Sequence, residues 1–204
     1  MPLSGSQIER LIAYVRLIEK WNATYNLTAI RDPLAMVSHH LLDCLAAAEA
    51  LLRRRGHPGV ERVLDVGSGA GLPGIVIAVV APEREVVCID SVGKKAAFIT
   101  QAAASLGLKN VVARHERVGN VRGQHFDVIA SRAFASLRAF VVETRHLLAD
   151  EGVWMAMKGK VPQAELAELS GVTFHVEPLQ IPELGADRCV IWLAPASGEA
   201  SARL

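Results

Sequence analysis

The sequence has almost no excess charge of either sign. Its 22 lysine and arginine residues stand against 21 aspartate and glutamate residues, which gives a formal net charge of +1. Bulk electrostatics therefore do not indicate a nucleic-acid-binding protein, and any such contact has to come from local clusters of basic residues.

Cysteine is also scarce. Cys44, Cys88 and Cys189 are odd in number, widely spaced and form no Cys-x-x-Cys pair. This usage is typical of reduced thiols in a cytoplasmic protein, and it indicates no metal site.

Long apolar runs, targeting signals and repeats are absent as well. No stretch approaches the roughly 18 uninterrupted apolar residues of a membrane span. The N-terminus has no basic run followed by an apolar one, so we expect no secretion signal. The chain has 204 residues, of which 51% are apolar. It is therefore long enough for one globular domain with a full core, with or without a helical extension.

The N-terminal part of the chain predicts helices. From Ser4 to Trp21, apolar residues recur at three- and four-residue spacing, which is typical of an amphipathic helix. Asp32 and Pro33 provide the N-cap and the first position of a second helix. This second helix should run to about Arg55.

Beyond residue 60, strands alternate with helices at the spacing of right-handed crossovers in a parallel sheet. The last two strands have no helix between them, so they should pair as a hairpin and make one edge antiparallel. The predicted fold class is therefore α/β, with a mostly parallel seven-stranded sheet. We expect a helical extension (1–59), the sheet domain (60–195) and a frayed tail (196–204). The predicted strands are 63–66, 85–90, 110–114, 126–131, 152–158, 172–176 and 188–193, and the helices after the first strand are 72–81, 94–106, 137–148 and 162–169.

A run of glycines follows the first predicted strand. Gly67, Gly69 and Gly71 allow the backbone to turn sharply and to approach a ligand closely, because no Cβ intervenes. Pro73 suits the first turn of a helix, and apolar residues up to Ala81 continue that helix. A strand, a glycine loop and a helix N-terminus together predict a nucleotide-binding corner.

The glycines fit two kinds of nucleotide site. Gly69-x-Gly71-x-x-Gly74 satisfies the dinucleotide fingerprint, which is a weak signal alone. Asp65-x-Gly67-x-Gly69-x-Gly71 is similar to the first motif of methyltransferases that use S-adenosylmethionine (SAM). A carboxylate there would repel a pyrophosphate and attract the ammonium and sulfonium groups of SAM. We therefore favour SAM; the alternative is that Asp65 only bonds backbone amides of the loop.

Further ligand contacts are predicted where the next strands end. Asp90 lies 23 residues after Gly67, and an acid about 20 residues past such a loop accepts hydrogen bonds from ribose hydroxyls. Alternatively, Asp90 caps the helix that begins near Val92. The loop 114–119 should pass beside the adenine. Arg132 ends the fourth strand, and strand-end loops are where sites are built.

Five segments in order give the chain a close resemblance to the bacterial glucose-inhibited division B family. The resemblance runs from about Trp21 to about Leu193. It implies a Rossmann-like class I methyltransferase domain with an N-terminal helical extension. It also implies SAM as the donor, and as the acceptor N7 of a guanine in the decoding region of small-subunit (16S) ribosomal RNA. The segments are Asn22-x-x-x-Asn26-Leu27-Thr28-Ala29-Ile30, the loop 67–74, Asp90-Ser91-x-Gly93-Lys94, Ser131-Arg132-Ala133-Phe134-Ala135 and Lys158-Gly159.

The resemblance also implies roles for single residues. It places Arg132 at the methyl-transfer face. Beside the adenine the family usually has arginine, a small apolar residue and glutamate, but Gly119 stands where the glutamate is expected. We therefore favour a backbone contact by Val118 and Gly119, with Glu116 as the alternative. The full set of predicted cofactor contacts is Asp65, Gly67, Ser68, Gly69, Gly71, Leu72, Asp90, Ser91, Glu116, Val118, Gly119 and Arg132.

Guanine N7 carries a lone pair and no proton, so methyl transfer to it needs no general base. We expect Arg132 and Lys158 to orient the base or neighbouring phosphates, although Lys158 could instead extend its ammonium to solvent at a strand end. We also expect a cytoplasmic monomer that binds 16S rRNA or the small ribosomal subunit and no membrane. The predicted RNA-binding residues, which should form a basic rim, are Asn26, Lys94, Lys95, Arg138 and Lys160.

Three other functions compete with this interpretation. A nicotinamide-dependent reductase would need a Tyr-x-x-x-Lys pair, but Ile18 follows Tyr14 at that spacing and Ala29 follows Tyr25. A non-catalytic nucleotide-sensing or RNA-chaperone module is disfavoured by the intact Asp65, glycine loop, Asp90 and Arg132. A methyltransferase for a small molecule or protein is disfavoured, weakly, by the family segments outside the donor site.

Overall fold

The protein is built around a single β-sheet. A computed structural model describes residues 1–54, 61–132, 134–181 and 187–196, and within these residues seven strands form the sheet. The strands are β1 (Arg62–Val66), β2 (Glu85–Asp90), β3 (Val111–His115), β4 (Phe126–Ser131), β5 (Leu148–Lys158), β6 (Val172–Pro178) and β7 (Cys189–Pro195).

The strand order is β3-β2-β1-β4-β5-β7-β6. The first five strands of this order pair in parallel, whereas β7 pairs antiparallel with both β5 and β6. The predicted parallel sheet with an antiparallel edge hairpin is therefore confirmed. The carboxyl ends of β1, β2, β3, β4 and β5 all meet at one edge, which is where an open parallel sheet binds ligands.

Helices cover both faces of the sheet, and the sequence explains where several of them begin. The Ser4 side chain accepts a hydrogen bond from the Gln7 amide and the Gln7 side chain bonds back to Ser4, which makes a capping box for the first helix. The helices are α1 (Gly5–Tyr25), α2 (Pro33–Met36), α3 (Asp43–Arg53), α4 (Gly74–Val80), α5 (Gly93–Ser105), α6 (Leu137–Thr144) and α7 (Gln163–Ala167).

The second predicted helix is not regular along its whole length. It begins at Pro33, and the Asp32 side chain caps it by accepting a hydrogen bond from the Ala35 amide at 2.7 Å. Between α2 and α3 the chain forms a π-helical segment, Val37–Leu42. The prediction of one uninterrupted α-helix was therefore wrong over this segment. Such wide turns are rare and occur frequently at functional sites.

Side chains alternate between the two faces of each strand, and each face packs against different helices. In β1, Val63 belongs to the hydrophobic core that α1, α3, α4 and α5 cover, whereas Leu64 and Val66 belong to the core that α6 and α7 cover. Asp65 shares the face of Val63. Its side chain therefore points toward the N-terminal helices.

The N-terminal helices pack directly against the remainder of the protein. Helix α1 contacts α4 and α5, and α3 contacts α4 and β7. Leu11, Ile18 and Leu51 are buried in the same core as Ile77 of α4. The predicted boundary between residues 59 and 60 and the predicted tail beyond Ala196 lie outside the described residues, so the division into extension, domain and tail stays a prediction.

The helical stretch Pro33–Arg53 has the length and mean hydropathy of a membrane-crossing helix. Half of its most apolar window is buried inside the protein, as in a core helix. The packing of α3 on α4 and β7 accounts for this apolar composition.

The start of α4 gives a test of the packing under β1. A Cβ added at Gly74 would collide with the Cys88 sulfur and would lie 2.9 Å from Asp65 Oδ2. Gly74→Ala should therefore lower the free energy of unfolding by about 1–3 kcal/mol, the usual cost of overpacking a core. The measurement is a urea titration. Gly5→Ala is the control, because nothing lies within 4 Å of a Cβ there; equal midpoints for the two variants would contradict the packing described.

Candidate functional site

A cavity of about 550 Å³ opens at the carboxyl ends of the first three strands, within the size range of small-molecule sites. Gly67 follows β1 and lines the cavity at one side. The other lining residues that the sequence predicted follow β2 and β3, and they are Asp90, Ser91, Glu116, Val118 and Gly119. Both alternatives for the adenine contact therefore lie on the same wall, because the chain makes a 3₁₀ turn over Val118–Asn120.

The glycine loop is fastened to the end of β2. The amides of Gly67 and Ser68 both donate to the Ile89 carbonyl, at 3.0 and 3.1 Å. Gly67, Gly69 and Gly71 have φ values of 68°, 59° and 88°, which L-residues with a Cβ rarely adopt. A Cβ at Gly67 or Gly69 would meet nothing within 4 Å. At these two positions the glycine is therefore required by the positive φ of the turn and not by packing.

Asp90 has the predicted capping role, and its position is compatible with the predicted ribose contact. Its Oδ1 accepts a hydrogen bond from the Val92 amide at 2.8 Å, ahead of α5. Its Oδ2 accepts one from the Gly69 amide at 2.9 Å. Each carboxylate oxygen has a second lone pair, and Asp90 lines the cavity. The cap and a bond to a ribose hydroxyl are therefore compatible.

Asp65 does not lie on the cavity wall. It is fully buried on the opposite side of β1, where its Oδ2 accepts a hydrogen bond from the Gly74 amide at 2.9 Å. Burial raises the pKa of Asp65 to about 7. The prediction that this carboxylate faces the ligand and attracts its cationic groups is corrected by this placement. The alternative, a bond to a backbone amide of the loop, is the contact that the structure shows.

Three other predicted cofactor residues, Ser68, Gly71 and Leu72, belong to the glycine loop but contact the protein interior. Ser68 is buried, and its hydroxyl donates to the Asp65 carbonyl at 2.8 Å. Leu72 is buried in the core, and a Cβ at Gly71 would collide with the Ile75 side chain. These residues shape the loop and do not line the cavity.

The cavity wall carries more negative than positive charge. Asp90, Glu116 and Glu143 line it, against the single cation Arg117 among its described lining residues. Such a wall disfavours a ligand with two phosphates and favours one that is neutral or cationic. The structure therefore favours a ligand made of adenosine and a cationic sulfur over a dinucleotide. The reason is the charge of the cavity wall, whereas the sequence analysis based the same preference on Asp65.

Arg132 lies outside the cavity lining, on the side of the N-terminal helices. Its Nη1 donates to Nδ1 of His40 at 3.0 Å. His40 belongs to the π-helical segment, and its Nε2 lies 2.6 Å from the Thr28 hydroxyl. The side of the protein where methyl transfer is predicted is therefore formed by the end of β4, the π-helical segment and the segment that contains Thr28.

Lys158 ends β5 and is already paired. Its Nζ donates to both carboxylate oxygens of Glu165 at 3.0 Å, and Glu165 Oε2 also accepts from the Leu137 amide at 2.7 Å. Lys158 therefore does not extend freely to solvent. It connects the end of β5 to the first residue of α6.

The predicted RNA-binding residues lie in two places. Lys94 and Lys95 are in the first turn of α5, Arg138 is in the first turn of α6, and Lys160 follows β5. These four are at the carboxyl edge of the sheet, and all but Lys95 are exposed. Asn26 is at the end of α1, where it has a φ of 50° and its side chain accepts a hydrogen bond from Arg31.

Several residues of the site were missed by the sequence analysis. Asn120 and Glu143 line the cavity, and His40 contacts Arg132. The Tyr14 hydroxyl, fully buried in α1, donates to the Ala70 carbonyl in the glycine loop at 2.5 Å. No motif identifies Glu143 or Tyr14, because each comes from a helix remote in sequence, and His40 stands in the family pattern His40-x-x-Asp43, to which no role was assigned. Asn120 could have been predicted, because it directly follows Gly119 of the predicted adenine contact.

The sequence matches one protein-family model over most of its length. This model, GidB, described as rRNA small subunit methyltransferase G, matches residues 7–191. The Ribosomal RNA small subunit methyltransferase G of Polaromonas naphthalenivorans is 53% identical over 202 residues, which cover 97% of this chain and 91% of the relative. The protein of the same name from Acidovorax ebreus is 51% identical over 206 residues, with the same coverage.

Solved structures share the fold at low sequence identity. A SAM-dependent methyltransferase from Aquifex aeolicus is 17% identical, with a TM-score of 0.58 over 89% of this chain and 97% of that one. A mutant of MtNAS in complex with S-adenosylmethionine is 19% identical, with a TM-score of 0.59 over 93% of this chain and 72% of that one.

The burial of Asp65 predicts a specific pH dependence of stability. A carboxyl whose folded pKa is raised from 3.8 to about 7 binds more protons folded than unfolded between these values. Its contribution is complete below pH 4, declines by up to ~1.4 kcal/mol per pH unit and is lost above pH 7. Asp65→Asn retains an acceptor for the Gly74 amide and removes the titration.

The free energies of unfolding of the wild type and Asp65→Asn should therefore be compared by urea titration from pH 5 to pH 8. The wild type should lose stability relative to the variant as pH rises to 7, and the difference should be constant above that. A difference independent of pH would contradict the placement of a titrating carboxyl at this buried position.

Proposed function

The chain belongs to the rRNA small subunit methyltransferase G family, and on that premise we propose that it methylates N7 of a guanine in the decoding region of 16S ribosomal RNA. The resemblance expected from five sequence segments is confirmed at this level: the protein is a SAM-dependent rRNA methyltransferase. The observation that carries the proposal is that a carboxylate-lined cavity and Arg132 lie at the same edge of the sheet.

The residues of the cavity fit SAM. We propose that Asp90 binds the ribose and that Val118 and Gly119 contact the adenine, with Glu116 as the alternative. Gly67 leaves space for the ligand, because a Cβ there would meet nothing within 4 Å. When bound, SAM supplies a methyl group on a positively charged sulfur, which is the electrophile of the reaction. The excess of carboxylates on the wall favours this cation.

Arg132 is proposed to hold the RNA at the point of transfer. Guanine N7 has a lone pair and no proton, and N7 becomes positively charged as its bond to the methyl group forms. A guanidinium that donated to N7 would occupy this lone pair and oppose the developing charge. We therefore assign Arg132 to a neighbouring phosphate or to guanine O6, which arginine also binds. No general base is required.

In this proposal the role of Lys158 is structural. Its ion pair with Glu165 offsets its charge, and Glu165 in turn holds the first amide of α6. The loop between Arg132 and α6 is thus fixed at its far end. The expectation that Lys158 contacts the base or a phosphate directly stays a prediction without support from these contacts.

The basic residues at the carboxyl edge are proposed to bind RNA phosphates around the site. Lys94, Arg138 and Lys160 are exposed there, while the net charge of the whole chain is only +1. The contact is therefore local. A monomer in the cytoplasm is the simplest form of the protein that meets these requirements, and it is part of the proposal.

The direct test of the proposed target is a transfer experiment. Small ribosomal subunits that lack the modification are incubated with the protein and SAM labelled in its methyl group, and the labelled nucleotide is then mapped. Label on N7 of a decoding-region guanine supports the proposal. Label at another atom, or on another RNA, contradicts it.

Replacing Arg132 separates the transfer site from the cofactor cavity. Arg132→Ala should lower kcat roughly tenfold to hundredfold, the cost of losing a hydrogen bond to a charged group. SAM affinity, measured by calorimetry, should change little because Arg132 does not line the cavity. Lys109→Ala, just before β3 at the opposite edge, is the control and should change neither quantity. Equal loss of kcat and SAM affinity would move Arg132 into the donor site.

The basic rim predicts a steep dependence of RNA binding on salt. For single-stranded RNA, each phosphate contact adds about −0.7 to the slope of log K against log salt concentration. The double variant Lys94→Ala, Lys160→Ala should reduce this slope by about 1.4 in filter-binding assays if each lysine neutralises one phosphate. Lys109→Ala should leave the slope unchanged, and an unaltered slope in the double variant would remove these two lysines from the interface.

A further inference from the structure

Arg132 is held by an imidazole and not by a carboxylate. Its Nη1 donates to His40 Nδ1 at 3.0 Å. Within the described part of the chain, no carboxylate forms an ion pair with it. Asp43 lies near, but its Oδ1 accepts instead from Arg188 Nε at 3.3 Å. Arg132 thus has a fixed position and no paired carboxylate among the described residues, and its charge acts on the nearby Asp43 and Asp65, where it opposes the rise in pKa that burial causes.

The hydrogen bonds define which form of His40 is present. Arginine has no acceptor and can only donate, so His40 Nδ1 carries a lone pair. The ring proton is therefore on Nε2, which donates to the Thr28 hydroxyl at 2.6 Å. A proton on Nδ1 would be shared with the His39 carbonyl, 3.2 Å away, and would release Arg132. Burial and the neighbouring Arg132 lower the pKa of His40 to about 4, so the neutral form persists at neutral pH.

The ring itself is anchored by the N-terminal segment. Thr28, which receives the Nε2 proton, has its amide bonded to the Asn22 side chain at 2.9 Å. Asn22 is buried and also donates to the Ile30 carbonyl at 3.1 Å. Leu27 is buried in the core between them. This network extends from α1 to Arg132 through His40 and gives a structural reason for several residues of the segment 22–30.

The helical geometry is irregular in the segment that contains His40. His40 lies in the π-helical segment Val37–Leu42. Wide turns of this kind are rare and occur frequently at functional sites. His40 is largely buried, whereas its neighbour His39 is exposed. Its place in this unusual turn is a second observation, independent of the hydrogen bonds, that marks His40.

We propose that His40 is a positioning residue that orients Arg132 for RNA without placing a paired carboxylate on it, and that the N-terminal segment thereby acts on methyl transfer. This rests on the proposed role of Arg132. A carboxylate at position 40 would hold the guanidinium equally well but would offset the charge that binds phosphate. A neutral ring accepts the hydrogen bond without that cost.

Three substitutions of His40 distinguish the effect of orienting Arg132 from the effect of cancelling its positive charge. His40→Gln retains a neutral acceptor and donor, and its kcat should stay within about threefold of wild type; His40→Leu removes both and should lower kcat about tenfold or more. His40→Glu restores an acceptor but adds a negative charge, and it should lower kcat at least as far as His40→Leu. KM for SAM should be unchanged in all three, because His40 does not line the cofactor cavity.

The matched control is His39→Leu, which alters the exposed neighbour on the same turn and should leave kcat unchanged. Melting temperatures are recorded for every variant. If His40→Leu fails to fold, the pair His40→Gln and His40→Glu decides, because they differ by one group. Wild-type kcat in a folded His40→Glu, or equal loss in His40→Gln and His40→Glu, would overturn the proposal.

One measurement does not depend on methyltransferase activity, so it tests the Arg132–His40 contact separately from the identity of the RNA target. Long-range ¹H–¹⁵N NMR of the histidine rings at pH 7 should show His40 protonated on Nε2 alone, and Arg132→Ala should alter its Nδ1 signal. Protonation on Nδ1 would overturn the hydrogen bond and the proposal. If the NMR result holds but wild-type protein does not methylate the small subunit, the proposed function fails and the Arg132–His40 contact stands.

Discussion

Two hydrogen bonds to one carboxylate determine the shape of the cofactor site. Asp90, at the end of β2, accepts from the Gly69 amide on one side and from the Val92 amide on the other. The first bond fixes the glycine loop after β1, and the second fixes the start of α5. Asp90 itself is almost fully buried, and the two bonds fix its carboxylate relative to both segments. The two bonds therefore hold the glycine loop and the start of α5 at the end of β2, where the cavity opens.

The charges around the site are divided between its two sides. Carboxylates line the cofactor cavity, and Arg132 lies on the opposite side of the end of β1 and β4, against the N-terminal helices. A cationic donor and an anionic RNA are thus each given a complementary environment. The N-terminal helices take part in both sides, through Tyr14 at the glycine loop and His40 at Arg132. They are therefore structural components of the site as well as a covering for the sheet.

Much of the fold could be predicted from the sequence because its signals are local. Alternating strands and helices, the N-caps at Ser4 and Asp32 and the glycine loop define most element boundaries to within a few residues. The π-helical segment could not be predicted, since it depends on contacts between His40 and residues far along the chain. The direction of Asp65 was predictable in principle. It is two residues from Val63, so a strand places both on the face that the N-terminal helices cover.

The candidate site was predictable only where it follows strand ends. Gly67, Asp90, Ser91 and the residues 116–119 were identified because the carboxyl ends of parallel strands converge. Glu143, Tyr14 and His40 come from helices whose packing decides which side chains reach the site, and sequence pattern alone does not encode this. The most direct test of the account is a crystal structure of the protein with S-adenosylhomocysteine. The account predicts ribose hydroxyls bonded to Asp90, adenine beside Val118 and Gly119, and Asp65 without ligand contact. Ribose bound elsewhere, or direct contact between Asp65 and the ligand, would contradict it.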